Sequence, residues 1–222
     1  MCGRYTLIAD RRAVAALVGL EVPELAPRYN VAPSQSVLAV RLAAGRREAA
    51  FLRWGLVPSW SRDGKAPLIN ARAETVADRP SFRAAFRRRR CLVPADGFYE
   101  WQALPRGKQP FLFRRPEGGP FALAGLWECW AAPDGSEVET CALLTTEANA
   151  VVRAVHDRMP VLIGPADVDT WLAADTPPAE LLGLLRPAPD DLLSARAVGP
   201  RVNNARHEGP ACVEPPVASL FG

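Results

Sequence analysis

Short runs of apolar residues, several of them alternating with polar ones, recur along the chain and predict strands. SVLAVRL (36–42) and EAAFLRWGL (48–56) flank Ala44–Gly45, so they predict a hairpin with a tight turn. Turn residues separate the strand-like runs that follow, which are CLVPADGFYEW (91–101), QPFLFRR (109–115), PFALAGLWECW (120–130), EVETCALLTT (137–146), MPVLIG (159–164) and LLSARAV (192–198). This pattern is typical of a chain built mainly from β-structure.

Helical spacing is confined to short segments. ADRRAVAALVGL (9–20) ends near Gly19, a residue typical of helix C-termini, and RPSFRAAFRRRR (79–90) has Pro80 near its start. Three further short helices are predicted at 148–156, 166–174 and 178–186. Because helices and strands do not alternate regularly, we expect an α+β fold with a mainly antiparallel, barrel-like sheet and short peripheral helices.

Length and composition fit one domain. The chain has 222 residues, and 49% of them are hydrophobic, which is enough for a packed core. No apolar run approaches the roughly 20 residues of a membrane-spanning helix, and charge appears as early as Arg4, so no signal peptide is predicted. We expect a single domain over 1–222, with a Pro-rich tail from about 208, in a cytoplasmic protein without a membrane partner.

The residues that bind metals and nucleotides are absent or badly spaced. The five cysteines are far apart and form no CxxC, and neither His156 nor His207 lies in an HExxH motif. No GxGxxG, Walker or GxSxG motif occurs. We therefore expect neither a disulfide framework nor a metal or other cofactor.

Amines are scarce in this chain. The net charge of the chain is +3. Of its 27 lysines and arginines, all are arginines except for Lys65 and Lys108. Codon bias explains much of this preference, but arginine stays protonated and cannot act as an amine nucleophile. Apart from the two lysines, the N-terminal amine is the amine that remains.

The chain opens MCGRYTL, with a cysteine directly after the initiator methionine. Removal of Met1 would leave Cys2 with an amine and a thiol on adjacent carbons. An α-amine has a pKa near 8, so roughly a tenth of it is neutral at pH 7, against less than ~0.1% for a lysine. Position alone leaves open whether Cys2 has this role or is an accident of the start of the chain.

Two residues are candidates for acid–base chemistry, one within a predicted strand and one at a predicted element boundary. Glu100 lies between Tyr99 and Trp101, where burial would raise its pKa and make it a proton carrier; the alternative is an ion pair with an arginine. His156 lies in VHDRMP, where a helix is predicted to meet a strand. A lone histidine there is either structural or part of a site.

Other polar and aromatic groups suggest contacts with nucleic acid. In INARAET, Asn70, Arg72 and Glu74 alternate, so on a strand they would share one face. Trp60 follows Pro58 and is expected to be partly exposed, as a platform for base stacking. The run RRRR (87–90) is interpreted as a solvated helix end, with contact to phosphates as the alternative.

Taken together, these segments resemble one family, the SRAP proteins (SOS response-associated peptidase, or abasic-site processing proteins). The resemblance is carried by MCGRYTL (1–7), RYNVAPSQ (28–35), RWGLVPSW (53–60), INARAET (69–75), RCLVPADGFYEW (90–101), GLW (125–127), LLTTEAN (143–149) and HDRMPVLI (156–163). Beyond Gly164 the match is less clear, and the aromatic that follows Trp60 in the family is Ser61 here.

The resemblance implies a function and a set of site residues. The mature N-terminal cysteine of the family captures abasic sites in single-stranded DNA as a covalent crosslink that shields the lesion. The implied catalytic residues are Cys2, Asn70, Glu100 and His156. The implied DNA contacts are Arg4, Asn30, Pro33, Trp60, Arg72 and Arg158. A monomer is expected, located at the bacterial nucleoid when bound to damaged DNA.

The chemistry also follows from the residues. An abasic sugar opens to an aldehyde, which the Cys2 amine can convert to a Schiff base. The adjacent thiol can then close a thiazolidine, whereas serine would give a less stable oxazolidine and alanine would stop at the imine. Glu100 would carry protons, His156 would help to open the sugar, and Asn70 would orient the sugar or the amine.

Several alternatives remain at this stage. Class II glutamine amidotransferases also begin Met-Cys-Gly, but no NGEIYN-like segment or further catalytic domain follows here. Autoproteolytic removal of Met1 and weak lyase activity at abasic sites could accompany crosslinking. A non-covalent single-strand DNA-binding module would show salt-sensitive binding that does not depend on Cys2.

Overall fold

The computed structural model describes residues 2–216, so the last six residues of the predicted Pro-rich tail (208–222) lie outside the described residues. The strands are Tyr5–Leu7 (β1), Arg28–Val31 (β2), Ser36–Ala43 (β3), Arg46–Trp54 (β4), Asn70–Arg72 (β5), Arg90–Ala95 (β6), Gly97–Ala103 (β7), Lys108–Arg114 (β8), Phe121–Ala131 (β9), Glu137–Glu147 (β10), Arg158–Pro160 (β11), Leu162–Ile163 (β12) and Ser194–Ala197 (β13). The α-helices are Arg11–Val18 (α1), Arg83–Arg88 (α2), Ala150–Arg153 (α3), Val168–Leu172 (α4) and Pro178–Leu184 (α5).

Five strands close into a barrel in the order β4, β3, β6, β9, β10 and back to β4. The closing pair, β10 with β4, is parallel, and the other four pairs are antiparallel. A second sheet, ordered β13-β8-β7-β1-β2, carries the start of the chain. The expected α+β fold with a mainly antiparallel, barrel-like sheet and short helices is confirmed.

The predicted hairpin and first helix have clear local causes. β3 and β4 pair from Ser36–Arg53 to Ala43–Arg46, and Ala44 and Gly45 both have positive φ, as a tight two-residue hairpin turn requires. α1 begins where Asp10 accepts a hydrogen bond from the Ala13 amide, and it ends where Gly19 adopts the left-handed conformation.

Several predicted elements are shorter or divided. The run 91–101 is two strands, because Asp96 between them accepts hydrogen bonds from Thr6 and from the amides of Ile8 and Ala9, and the chain there passes from the barrel to the second sheet. The run 159–164 is interrupted at Val161. The helix predicted at 148–156 is reduced to the single turn of α3.

The four arginines at 87–90 have different environments. Arg87 and Arg88 are exposed at the end of α2, as the sequence predicts. Arg89 forms an ion pair with Glu128 (2.6 Å), and Arg90 is buried among backbone carbonyls. Half of this run therefore stabilises the fold. No helix within residues 2–216 has the length and apolar character needed to span a bilayer.

Candidate active site

Cys2 is the first described residue, and it lies fully buried beside β5. Its backbone carbonyl accepts a hydrogen bond from Asn70 Nδ2 (2.9 Å), which joins two residues that are 68 positions apart. Burial raises the pKa of the Cys2 thiol well above its usual range, and the negative charge of Glu100 raises it further. While Met1 is attached, the thiol is therefore protonated at neutral pH.

Strand pairing brings Glu100 to the start of the chain. β1 pairs with β7 in an antiparallel register that sets Tyr5 opposite Phe98, so the residues before Tyr5 run beside Glu100. The Glu100 side chain is buried, and burial raises its pKa to about 7. The carboxyl is then roughly half protonated at neutral pH, so it can both give and accept a proton.

His156 faces the same carboxyl. Its Nε2 lies 4.0 Å from Oε2 of Glu100. Its Nδ1 lies 3.0 Å from the backbone amide of Arg158 and 2.9 Å from Oδ1 of Asp157. Burial lowers the pKa of His156, so the neutral ring dominates at pH 7, with Nε2 toward Glu100.

These groups open into a polar cavity of about 410 Å³, lined by Arg4, Glu100, Trp101, Lys108, His156 and Asn203. A separate apolar groove of about 270 Å³ near α5 is lined by Leu17, Phe121 and Leu184 among others, and none of the predicted site residues reaches it. Glu100, whose pKa is raised, and His156, whose pKa is lowered, therefore both line the polar cavity.

Two predicted DNA contacts, Arg4 and Asn30, are engaged inside the protein. Arg4 Nη1 donates to Asn30 Oδ1 (2.9 Å) and to the Val202 carbonyl (2.6 Å). Asn30 is buried, and its Nδ2 donates to the carbonyls of Asn204 (3.0 Å) and His207 (2.9 Å). The pair thus holds the 202–207 segment against β1 and β2. Direct contact of either residue with DNA stays a prediction.

β10 lies between β5 and β11 and brings two further predicted contacts together. Arg158 forms a bidentate pair with Glu74 (2.6 and 2.9 Å) and donates to the Thr145 carbonyl (2.7 Å), whereas Arg72 is exposed. The expected common face of Asn70, Arg72 and Glu74 is wrong, because β5 ends at Arg72 and a 3₁₀ turn follows. That turn carries Glu74 to Arg158.

Trp60 is 65% exposed, as predicted. The loop that carries it is held by a hydrogen bond from Trp130 Nε1 to the Ser61 carbonyl (2.7 Å). Pro33 is half-buried in the turn between β2 and β3, where Ser34 has a φ of 72°. An exposed indole on an anchored loop can stack on a base. The roles of Trp60 and Pro33 in DNA binding stay predictions.

Sequence reasoning missed Lys108 and Asn203 as pocket residues. Lys108 begins β8 and pairs with Ala103 at the end of the β7–β8 hairpin, so its place depends on the length of the 104–107 loop. Asn203 lies in a 3₁₀ turn about 100 residues from Trp101, to which it is hydrogen bonded. No local motif marks either residue.

Comparison with known proteins identifies the family. A family model described as SOS response associated peptidase (SRAP) matches residues 1–205. The chain belongs to the SRAP family. Within this family it is 38% identical to abasic site processing protein YoqW of Bacillus subtilis, over 96% of this chain and 99% of the relative. It is 31% identical to abasic site processing protein HMCES of Gallus gallus, over 85% of this chain and 66% of the relative.

Solved structures have the same fold as this SRAP chain. A protein of Bacteroides thetaiotaomicron superposes with a TM-score of 0.84 at 23% identity, over 96% of this chain and 99% of that protein. A phage-related protein of Bordetella bronchiseptica superposes with a TM-score of 0.73 at 30% identity, over 97% of this chain and all of that protein. The family expected from the sequence is confirmed.

Proposed function

We propose that this SRAP protein captures abasic sites in single-stranded DNA covalently, through Cys2 after Met1 has been removed, and so shields the lesion. The observation that carries the proposal is that Cys2, held by a hydrogen bond from Asn70, lies close enough to Glu100 for that carboxylate to raise the pKa of its thiol. The relatives named abasic site processing proteins support the choice of substrate.

The reaction begins at the amine. The neutral Cys2 amine attacks C1 of the ring-opened sugar, a proton passes from nitrogen to the new hydroxyl, and water leaves to give an imine. The Cys2 thiol adds to the imine carbon while its proton passes to the nitrogen, and a thiazolidine closes. Protein and DNA are then joined with the loss of one water.

The pocket has a group for each proton transfer. Glu100, with a pKa near 7, accepts the proton of the attacking amine and returns it to the leaving hydroxyl. His156, whose Nε2 faces Glu100, would carry the proton to the ring oxygen as the sugar opens. Asn70 holds the Cys2 carbonyl and thereby fixes the direction of the amine.

The electrostatics favour the amine as the first nucleophile. Burial and the charge of Glu100 oppose ionisation of the Cys2 thiol, whereas an amidotransferase needs that thiol as its nucleophile. Autoproteolytic removal of Met1 and a weak lyase reaction would use the same pair, Glu100 and His156, and remain part of the proposal.

DNA binding would depend mainly on the backbone. Arg72 and Arg158 lie on the strands on either side of β10 and would hold phosphates next to the lesion, Arg72 directly and Arg158 on exchange of its exposed partner Glu74 for a phosphate. Trp60 would stack on a neighbouring base. Because an abasic site has no base to stack, the strand bends there easily, and recognition is expected to be independent of sequence.

Cys2 variants test the proposal. Wild-type protein mixed with single-stranded abasic DNA should give an adduct that survives a denaturing gel without borohydride. Cys2→Ser should give a less stable adduct, and Cys2→Ala should give one only after borohydride traps the imine. Cys129→Ala, a thiol on β9, should behave as wild type. A borohydride-independent adduct of normal yield in Cys2→Ala would falsify the thiazolidine mechanism.

A further inference from the structure

The polar cavity has more room than one sugar needs. Its volume is about 410 Å³. Glu100 and His156 line one part of it, and Arg4, Lys108 and Asn203 line the rest. A strand entering with its abasic sugar at Glu100 must also bring a phosphate into or beside this second part.

Arg4 is poorly suited to that phosphate. Besides its bonds to Asn30 and Val202, its Nη2 donates to the Asn203 carbonyl (3.4 Å), and its guanidinium lies 5.8 Å from the centre of the Trp101 ring. These contacts fix the wall of the pocket. A phosphate bound by Arg4 would have to displace several of them.

Lys108 is the available cation of the cavity. Its side chain is exposed, and within residues 2–216 the structure pairs it with no carboxylate at ion-pair distance. It is close enough to Glu100 and His156 that its ammonium lowers the pKa of both, although burial is the larger influence on each. It is also one of only two lysines in the chain.

Asn203 supplies neutral donors on the same wall. Its Oδ1 accepts a hydrogen bond from Trp101 Nε1 (2.7 Å), which sets the orientation of the amide. The amide nitrogen then turns its N–H groups away from Trp101, and Asn203 lines the cavity. An ammonium and an amide N–H₂ together suit the oxygens of a phosphodiester.

We infer that Lys108 and Asn203 form a phosphate subsite in this cavity, which takes a phosphate adjoining the abasic sugar. The inference rests on the proposed function for its substrate. Lys108 draws the anion in as a point charge, and Asn203 fixes one of its oxygens. This contact is separate from those proposed for Arg72 and Arg158, which lie on β5 and β11, the strands that pair with β10.

Crosslinking rates measured against DNA concentration test the subsite. Lys108→Gln is expected to raise the half-saturating concentration about tenfold, with the maximal rate within threefold of wild type. It should also make the negative slope of log affinity against log salt shallower by about 0.7, the value for one phosphate contact on a single strand. Lys108→Arg should recover most of the affinity. Lys65→Gln removes the same charge from an exposed loop and should change neither quantity.

Replacing single phosphates of the DNA with neutral methylphosphonates shows which phosphate Lys108 contacts. With a methylphosphonate on one side of the abasic site, wild type and Lys108→Gln should bind equally, whereas the same change on the other side should preserve their difference. A Lys108→Gln effect that persists with either phosphate neutralised, or an equal effect of Lys65→Gln, would overturn the subsite. Binding of both lysine variants to DNA that carries a tetrahydrofuran analogue of the abasic site, which has no aldehyde and forms no imine, reports on the subsite even if wild type forms no crosslink, so the two proposals fail separately.

Discussion

Glu100→Gln is expected to slow crosslinking to abasic DNA by about 10²- to 10³-fold, the usual contribution of a positioned general acid–base group. Glutamine keeps the shape and polarity of the side chain but cannot carry the proton from the attacking amine to the leaving hydroxyl. The single-turnover rate at pH 7 measures the effect. Glu128→Gln is the matched control, since Glu128 is a buried carboxylate on β9 paired with Arg89. It should stay within about twofold of wild type.

The Glu100→Gln variant should be more stable than wild type at high pH. The folded pKa of Glu100 is raised to about 7 from an ordinary 4.5. Its stabilising contribution is therefore fully present below pH 4.5 and is lost as the pH rises through 7. Glutamine removes the buried charge, so the free energy of unfolding at pH 8 should rise by up to about 3 kcal/mol. A wild-type crosslinking rate in Glu100→Gln, or an equal loss in Glu128→Gln, would exclude the proton-carrier role.

Arg90→Met is expected to destabilise the fold by about 4 kcal/mol and to lower Tm by about 10 °C. Arg90 is buried, and it donates from Nε to the Trp171 carbonyl (2.6 Å), from Nη1 to the Phe86 carbonyl (2.7 Å), and from Nη2 to the Ala173 carbonyl. It thereby ties α2 and α4 to β6. Methionine fills much of the volume but leaves three buried or part-buried acceptors without their donor.

Arg88→Met provides the control from the same arginine run. Arg88 is exposed at the end of α2, and its replacement should change stability by less than about 0.5 kcal/mol. Thermal and urea unfolding measure both variants. Equal shifts in Arg88→Met and Arg90→Met would show that the buried hydrogen bonds do not have the stabilising role assigned to them.

Local patterns identified most elements of the fold but not their lengths. The β3–β4 hairpin and α1 were predictable because turn, capping and periodic residues all lie within the element. The division at Asp96 was not, because its cause is three hydrogen bonds from Thr6, Ile8 and Ala9, about 90 positions away. Closure of the barrel by a parallel pair of β4 and β10 likewise depends on contacts distant in sequence.

The site residues also fall into two groups, those that the sequence identified and those that it did not. Cys2, Glu100 and His156 were singled out by their chemistry and their neighbours. The pairing of β1 with β7 brings the start of the chain beside Glu100, and Glu100 and His156 line one cavity. Lys108 and Asn203 have no motif, so only the register of the β7–β8 hairpin and the path of the 200–209 segment bring them there. The family resemblance implied that Arg4 and Asn30 contact DNA, and in the structure their polar atoms hold that segment.

Intact-mass analysis of wild-type protein after reaction with abasic single-stranded DNA, followed by thiol alkylation under denaturing conditions and peptide mapping, tests the central claim most directly. We expect a product without Met1, equal in mass to protein plus DNA minus one water, with the adduct on Cys2 and its thiol closed to alkylation. An adduct that retains Met1, that maps to Lys65 or Lys108, or that leaves the Cys2 thiol open to alkylation would contradict it.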